Sequence, residues 1–284
     1  MVTFCTALSV WLLLRASRLD RNRDWFLAGA AFGSIALVRA SVAPTFGVAL
    51  IWTAVWGAQG NAWAKLQKCA IPLLAVVVMV GPWLIRTHHL TGAAVLSSQN
   101  GWALWVGNNT ETFSHYPAES IDLSRNQAWS KLTPEDHAEI ERLADDEIAT
   151  SNWFAHRAMG FIRANPWLVL KGAFRKVEAG FSWRLNPGRE PLAQAAYAVS
   201  YVPVAALGIV GMFYARRRRE VVLIGMLFLA FICVTAVFWA HTSHRSYLDV
   251  YWIVFAASVV ERLWTRSTCG LQRRPIVDLA QPLS

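Results

Sequence analysis

Gly81 to Asn109 reads GPWLIRTHHLTGAAVLSSQNGWALWVGNN, and in this stretch a long apolar run gives way to polar, aromatic-rich sequence. No charge falls between Lys68 and Arg86, so the residues ahead of it read as an apolar helix. The Gly81-Pro82 pair weakens that helix near its expected end, Trp83 suits the headgroup level of a bilayer, and Arg86 is the first charge beyond. The expectation is a helix that leaves a membrane here and a domain outside the bilayer after it.

Composition agrees with that class. The chain is 55% hydrophobic and only 16% charged, values of a polytopic membrane protein rather than a soluble enzyme. Val221 to Ala240 carries no charge over a length that covers a hydrocarbon core of roughly 30 Å. Ala195 to Ala215 and Leu248 to Val260 read as its neighbours, the latter shortened by Asp249.

Towards the front, Trp25 to Gly57 is too long for one crossing and is broken by Arg39 and Pro44. Arg15, Arg18, Arg21 and Arg23 precede it and Lys65 and Lys68 follow it, so two basic loops flank the stretch. The positive-inside rule puts both in the cytoplasm, which requires two crossings, about Trp25 to Val38 and Val42 to Gly57. Met1 to Leu14 lacks the basic start and small-residue cleavage site of a signal peptide and reads as a further span or the tail of one. The expected fold is therefore all-α and polytopic, with about seven transmembrane helices and a mainly helical extracytoplasmic domain. Residues 1–86 form the first spans, 87–195 the outer domain, 196–264 three closing spans and 265–284 a cytoplasmic tail.

Charge follows the same parity. Residues 87–195 hold ten Lys or Arg against twelve Asp or Glu, net −2, whereas Arg216 to Arg219 and the tail arginines, Arg273 and Arg274 among them, are concentrated positive charge. The overall +9 is thus a topology signal, its basic groups dispersed among loops, and no nucleic-acid partner is expected. Cys5, Cys69 and Cys233 fall in apolar runs and Cys269 in the tail, which gives no disulfide framework.

Within the outer segment, Thr133 followed by Pro134, Glu135 and Asp136 predicts a helix start, running towards Ala149 and continuing or restarting near Ser151. Asn165-Pro166 opens another helix, in which Trp167, Leu170, Phe174, Val177 and Phe181 recur at helical spacing with Lys171, Arg175 and Lys176 between them. That pattern fits a helix on a membrane surface and equally one packed on the outer domain.

The ordered set DWFLAGAAFGSIALVRAS, GPWLIRTHHLTG, SSQNGWALWVGNN, MGFIRANPWLVLKGAFRKV and SHRSYLDVYWIVFAAS resembles the C-terminal two-thirds of bacterial GT-C type membrane glycosyltransferases. These are the dolichyl-phosphate-mannose-protein mannosyltransferase-like and aminoarabinose-transferase-like proteins. The resemblance implies transfer of a sugar from a polyprenyl-phosphate carrier to a glycan, lipid or protein acceptor at the outer face of the bacterial inner membrane. It also implies catalytic carboxylates in a first outer loop ahead of the matched region, so no residue of this chain is assigned that role and the chain is expected to be inactive alone if truncated. The alternatives are a non-catalytic protein that binds a lipid-linked sugar or a partner subunit and, against the absence of inverted repeats, a transporter or flippase.

Cations near the lipid headgroup would hold the carrier phosphate. Arg39 stands where the family reads "L-x-R-P", with Ala40 in place of the proline; a snorkelling arginine is the alternative. Arg86 is read as a phosphate contact or a plain interfacial anchor. His244 and Arg245, with His241, lie in a short outer connection resembling the family's "R-Y-R". For the sugar or acceptor, Asn100, Asn108 and Asn109 beside Trp102 and Trp105 combine amides with aromatic faces, although the same residues form turns and interfacial anchors. The cluster Glu135 to Glu147 reads as a charged helix face. No cofactor is expected, no metal site is evident, and dependence on a divalent metal is left open.

Overall fold

The computed structural model describes residues 1–272, with side chains to 265. Among these every regular element is helical: α1 (Val2–Leu19), α2 (Asn22–Val38), α3 (Pro44–Trp52), α4 (Ala62–Thr91), α5 (Asn100–Gly107), α6 (Ile121–Ser130), α7 (Pro134–Arg142), α8 (Glu147–Ala164), α9 (Pro166–Phe181), α10 (Pro191–Ala215), α11 (Arg219–Val237) and α12 (Ser246–Gln272). A 3-10 turn, Ala40–Val42, precedes α3 and a π turn, Thr53–Gly57, follows it. Five stretches are long and apolar enough to cross a membrane: Val2–Leu19, Ala40–Gly57, Ala62–Thr91, Pro191–Ala215 and Arg219–Val237. Helix α2, at 17 residues, and α12, with Asp249, Glu261 and Arg262, are not among them. Residues 273–284, with Arg273 and Arg274, lie outside the described residues, and the expected tail is helical as far as Gln272.

Helices α1 to α4 and α10 to α12 are rods that run between two ends. At one end Ser17 donates to the Gly57 carbonyl at 2.6 Å and the Trp52 indole to the Arg219 carbonyl at 2.8 Å. Arg15 meets the buried Asp24 at 3.2 Å, and Lys68 meets Asp20 at 3.1 Å. The basic segments of the sequence converge there because successive rods run in opposite directions, so that α1 and α10 end where α2, α4 and α11 begin. At the other end α5 to α9 build a second core of Trp105, Val106, Tyr116, Ile121, Ala128, Phe154, Ala158 and Ala179.

Helix α4 departs from expectation. It does not end near Arg86 but runs 30 residues, through Pro72 and Pro82, to Thr91, and Gly92, with φ of 73°, caps it through its N–H to the His88 carbonyl. Each proline removes one i to i−4 bond, but in a run without polar side chains the backbone has no other partners, so the helix persists through the gap. The left-handed turn at Gly92, open to a residue without Cβ, is what ends it. The outer helices start as their caps dictate: Thr133 and Asp136 form a reciprocal capping box, and Asn165-Pro166 opens α9. The restart falls at Asp146, which caps α8 through the N–H groups of Ile148 and Ala149, earlier than Ser151.

Small residues set the rod contacts. Gly29 and Gly33, four apart on α2, lie against Pro72 and Met79 of α4, and Gly208 and Gly211 of α10 lie against Trp252 and Phe255 of α12. A Cβ on Gly29 would run into the Pro72 backbone, which cannot swing aside as a side chain can. Gly29→Leu is expected to cost about 3 kcal/mol or more, beyond the usual range for an overpacked core. Gly47→Leu, at a glycine with nothing within 4 Å, should cost little. Thermal unfolding of the detergent-purified variants checks the contrast.

Candidate functional site

A cavity of about 530 Å³ opens where the α2–α3 turn, the start of α5 and the end of α11 meet. Its polar residues are Arg39, Ser41, Asn100, Thr235, His244 and Tyr247, and Val42, Pro44, Phe231, Val234 and Phe238 supply apolar walls. Arg39 follows the last residue of α2 in extended backbone, with φ −154° and ψ 99°, so its side chain leaves the helix axis. It is half-buried, donates from Nε to Ser41 Oγ at 3.1 Å, and has no carboxylate within ion-pair distance among the described residues.

His244 sits in a 3-10 turn, Thr242–Arg245, with its ring 5.1 Å from Trp239 and 5.5 Å from His241. Burial, then the charges of Arg39 and His241, pull its pKa down to about 3, so it is a neutral imidazole with one donor and one acceptor. The sequence reading of His244 as a potential cation therefore changes: the cavity holds one fixed positive charge, Arg39, flanked by neutral hydrogen-bonding groups. An anionic head with an apolar tail suits that arrangement. Among the described residues no three His, Cys, Asp or Glu side chains are placed to share a metal.

Arg86 lies elsewhere. The continuation of α4 past Pro82 places it in a separate cavity of about 740 Å³ with Trp83, Thr87, Thr91, Ser97, Ser98, Asp145, Asp146 and Glu147. Its guanidinium stands 5.3 Å from the Trp83 ring centre, and Glu147 accepts from Ser98 Oγ at 2.6 Å. The loop Ser97 to Asn100 separates the two cavities, with Ser97 and Ser98 in one and Asn100 in the other.

Arg245 turns away from both cavities into the protein. It is 1% exposed, and it donates to Asp249 Oδ1 at 2.9 Å, the Gly180 carbonyl at 2.9 Å and Tyr197 Oη at 2.8 Å, over the Tyr201 ring at 3.9 Å. Burial opposes its charge, but Asp249 and the tyrosines outweigh that and hold its pKa above the ordinary value.

The amides and tryptophans of the opening stretch are spent on structure. Asn108 Nδ2 donates to the Leu104 and Val237 carbonyls and its Oδ1 accepts from Lys176 at 3.0 Å. Asn109 Nδ2 donates to the Trp105 carbonyl at 2.7 Å and its Oδ1 accepts from the Glu111 N–H at 2.7 Å. Trp105 is buried, and Trp102 packs edge-on to Phe154 with centres 4.6 Å apart. Asn100 alone of this group reaches the Arg39 cavity.

Lys176, read in the sequence as a polar residue between apolar positions, is instead 1% exposed. Its ammonium meets Asn108 Oδ1 and the Ala236 and Val237 carbonyls at 3.0–3.2 Å, satisfying the free carbonyl end of α11. Burial pulls it down to about 8. Burial likewise pushes Tyr116 up to about 12, while its hydroxyl donates to the Ala240 carbonyl at 2.6 Å. Tyr247, two residues from Arg245, was within reach of a sequence reading; the burial of Lys176 and the approach of Asp145 and Glu147 to Arg86 were not.

No protein-family model, curated protein or solved structure matches this chain.

Two outcomes follow from the buried cations. Arg245→Ala strands Asp249 and the Gly180 carbonyl and is expected to cost about 3–5 kcal/mol of stability. Arg245→Lys should recover only part of this, because an ammonium cannot span all three acceptors; thermal unfolding of both variants measures the difference. For Lys176 the folded pKa lies below the unfolded one, so its penalty is present below about 8 and is relieved as pH rises towards 10.5. Across that window the wild type should gain about 3 kcal/mol relative to Lys176→Met, read from paired unfolding curves at pH 7.5 and 10.5.

Proposed function

We propose that this chain is a multi-pass protein of the bacterial inner membrane, with α5 to α9 on the extracytoplasmic side, that binds the phosphate of a polyprenyl-linked sugar at Arg39 and serves its transfer to an acceptor. Seven crossings follow if α2 and α12 span beside the five long apolar stretches. The gathering of basic segments at one end of the rods supports the orientation.

The observation that carries the reading is the state of Arg39, a half-buried cation without a carboxylate partner among the described residues, in a cavity with polar groups at one side and apolar walls at the other. In a site partly withdrawn from water a phosphate gains more from that charge than it would in solvent. His244, neutral, lines the same site without adding to the charge. In transfer, an acceptor oxygen attacks the sugar carbon, the bond to the carrier phosphate breaks, and the electron pair stays on the phosphate oxygen, where Arg39 stabilises it. The acceptor proton is taken up by the released carrier phosphate, so that the step balances without a protein base.

One observation favours a second reading, in which the chain binds the lipid-linked sugar without transferring it. Among the described residues no carboxylate lines the Arg39 cavity; Asp145, Asp146 and Glu147 line the Arg86 cavity instead.

Binding of polyprenyl phosphate to the protein in nanodiscs is expected to weaken about 10- to 100-fold in Arg39→Ala, the value of one charge-assisted contact, and less in Arg39→Lys. Equal affinity for the uncharged polyprenol, or unchanged binding in Arg39→Ala, would sink the phosphate reading. Turnover of a labelled polyprenyl-phosphate sugar separates transfer from binding alone.

A further inference from the structure

Helix α9 has two opposite faces, and only one is explained by packing. Gly172, Lys176, Ala179 and Gly180 are buried against the second core and the end of α11. On the other side Trp167, Leu170 and Phe174 stand 77%, 47% and 71% exposed. At about 100° per residue, Trp167, Lys171 and Phe174 fall within about 60° of one another, nearly opposite Lys176. Lys171 and Arg175 are exposed on or beside that face, and Arg175 also lies over the Phe113 ring at 4.1 Å.

Depth and continuity say what covers it. The last residue of α9, Phe181, packs on Phe228 and Phe231 with ring centres 6.3 Å and 5.4 Å apart. Phe231 lies six residues, about 9 Å, inside the end of the apolar helix α11, so the end of α9 reaches the depth of the rods. Phe174 and Trp167 are seven and fourteen residues back, at most about 10 Å and about 21 Å further out, so an α9 tilted from the bilayer normal keeps both at the layer of lipid headgroups that extends about 5–8 Å beyond each side of a hydrocarbon core. From Phe181 the chain passes through residues 182–190 into α10, whose first turns expose Leu192 at 83% and Val199 at 75%. Past Glu178, which is exposed on the same side of α9, the chain thus leads within nine residues into the outward face of a candidate span.

We infer that α9 rests on the lipid surface, with Trp167, Leu170 and Phe174 at the boundary of headgroups and acyl chains and with Lys171 and Arg175 against anionic lipid phosphates. The inference rests on the membrane-spanning reading of the chain. It gives the second core a fixed height above the bilayer: one face of α9 lies on lipid while Lys176 on the other holds the end of α11.

The test is site-directed spin labelling in vesicles of phosphatidylethanolamine and phosphatidylglycerol, after replacing Cys5, Cys69, Cys233 and Cys269 by alanine. Labels are placed singly through Trp167→Cys and Phe174→Cys, with Val77→Cys on the exposed face of α4 and Asp145→Cys as lipid and water references. Since all four positions are exposed, no core is disturbed. Labels at 167 and 174 should collide with oxygen several-fold more, relative to a water-soluble nickel reagent, than the label at 145, approaching the ratio at 77. Values matching 145 would overturn the inference, as would shielding from both reagents, which marks a protein partner or a second copy. An aqueous label at 77 would fail the membrane-spanning reading itself, and the inference with it.

Discussion

A guanidinium taken out of water must find acceptors for its donors, and Arg245 finds them on elements far apart in the chain: Gly180 near the end of α9, Tyr197 in α10 and Asp249 in α12. Because these bonds hold three helices to one planar group, they fix where the chain returns from the second core to the rods. They also fix the turn that carries Arg245, and His244 is its neighbour in that turn. The wall of the Arg39 cavity thus depends on a charge that faces away from it.

Lys176 does the same work one level further out. Its ammonium sits on the carbonyl end of α11 and on Asn108, so the second core is joined to the rods through a buried charge as well as through apolar contact. The seam between the two cores is where Arg39, Asn100 and His244 come together. The contrast between the arginines gives the seam its chemistry. Arg245 is saturated by a carboxylate, a carbonyl and a hydroxyl, whereas Arg39 has one serine hydroxyl and an open cavity before it.

Much of the helical layout was legible. Uninterrupted apolar runs gave rods at 25–38 and 195–215 with near-correct limits, and local caps such as Thr133 and Asn165-Pro166 placed helix starts, since capping is a contact within one turn. The end expected near Arg86 fell short, because a proline and a first charge show where a bond is lost or water begins, while continuation to Thr91 depends on whether the backbone has any other partner. That difference moved Arg86 from the end of a helix to the wall of a second cavity. The amide and tryptophan run from Asn100 to Asn109 misled for a related reason: amides and rings that could bind a sugar serve equally to close a helix and fill a core.

The sequence by itself determined the long apolar helices and the capped starts at Thr133 and Asn165-Pro166, because these depend on residues close together in the chain. Only the tertiary structure decided which charges are free. Arg39, Lys176 and Arg245 all lie in or next to largely apolar helices, and most of what distinguishes them is distant in sequence. Asp249 alone of Arg245's acceptors is a helical turn away; Gly180 and Tyr197, like the α11 carbonyls that meet Lys176, are brought in from distant segments. Whether a cation is satisfied or left open to a ligand is settled by that assembly, since a charge in a low-dielectric setting takes its state from whichever groups the fold places within a few ångströms.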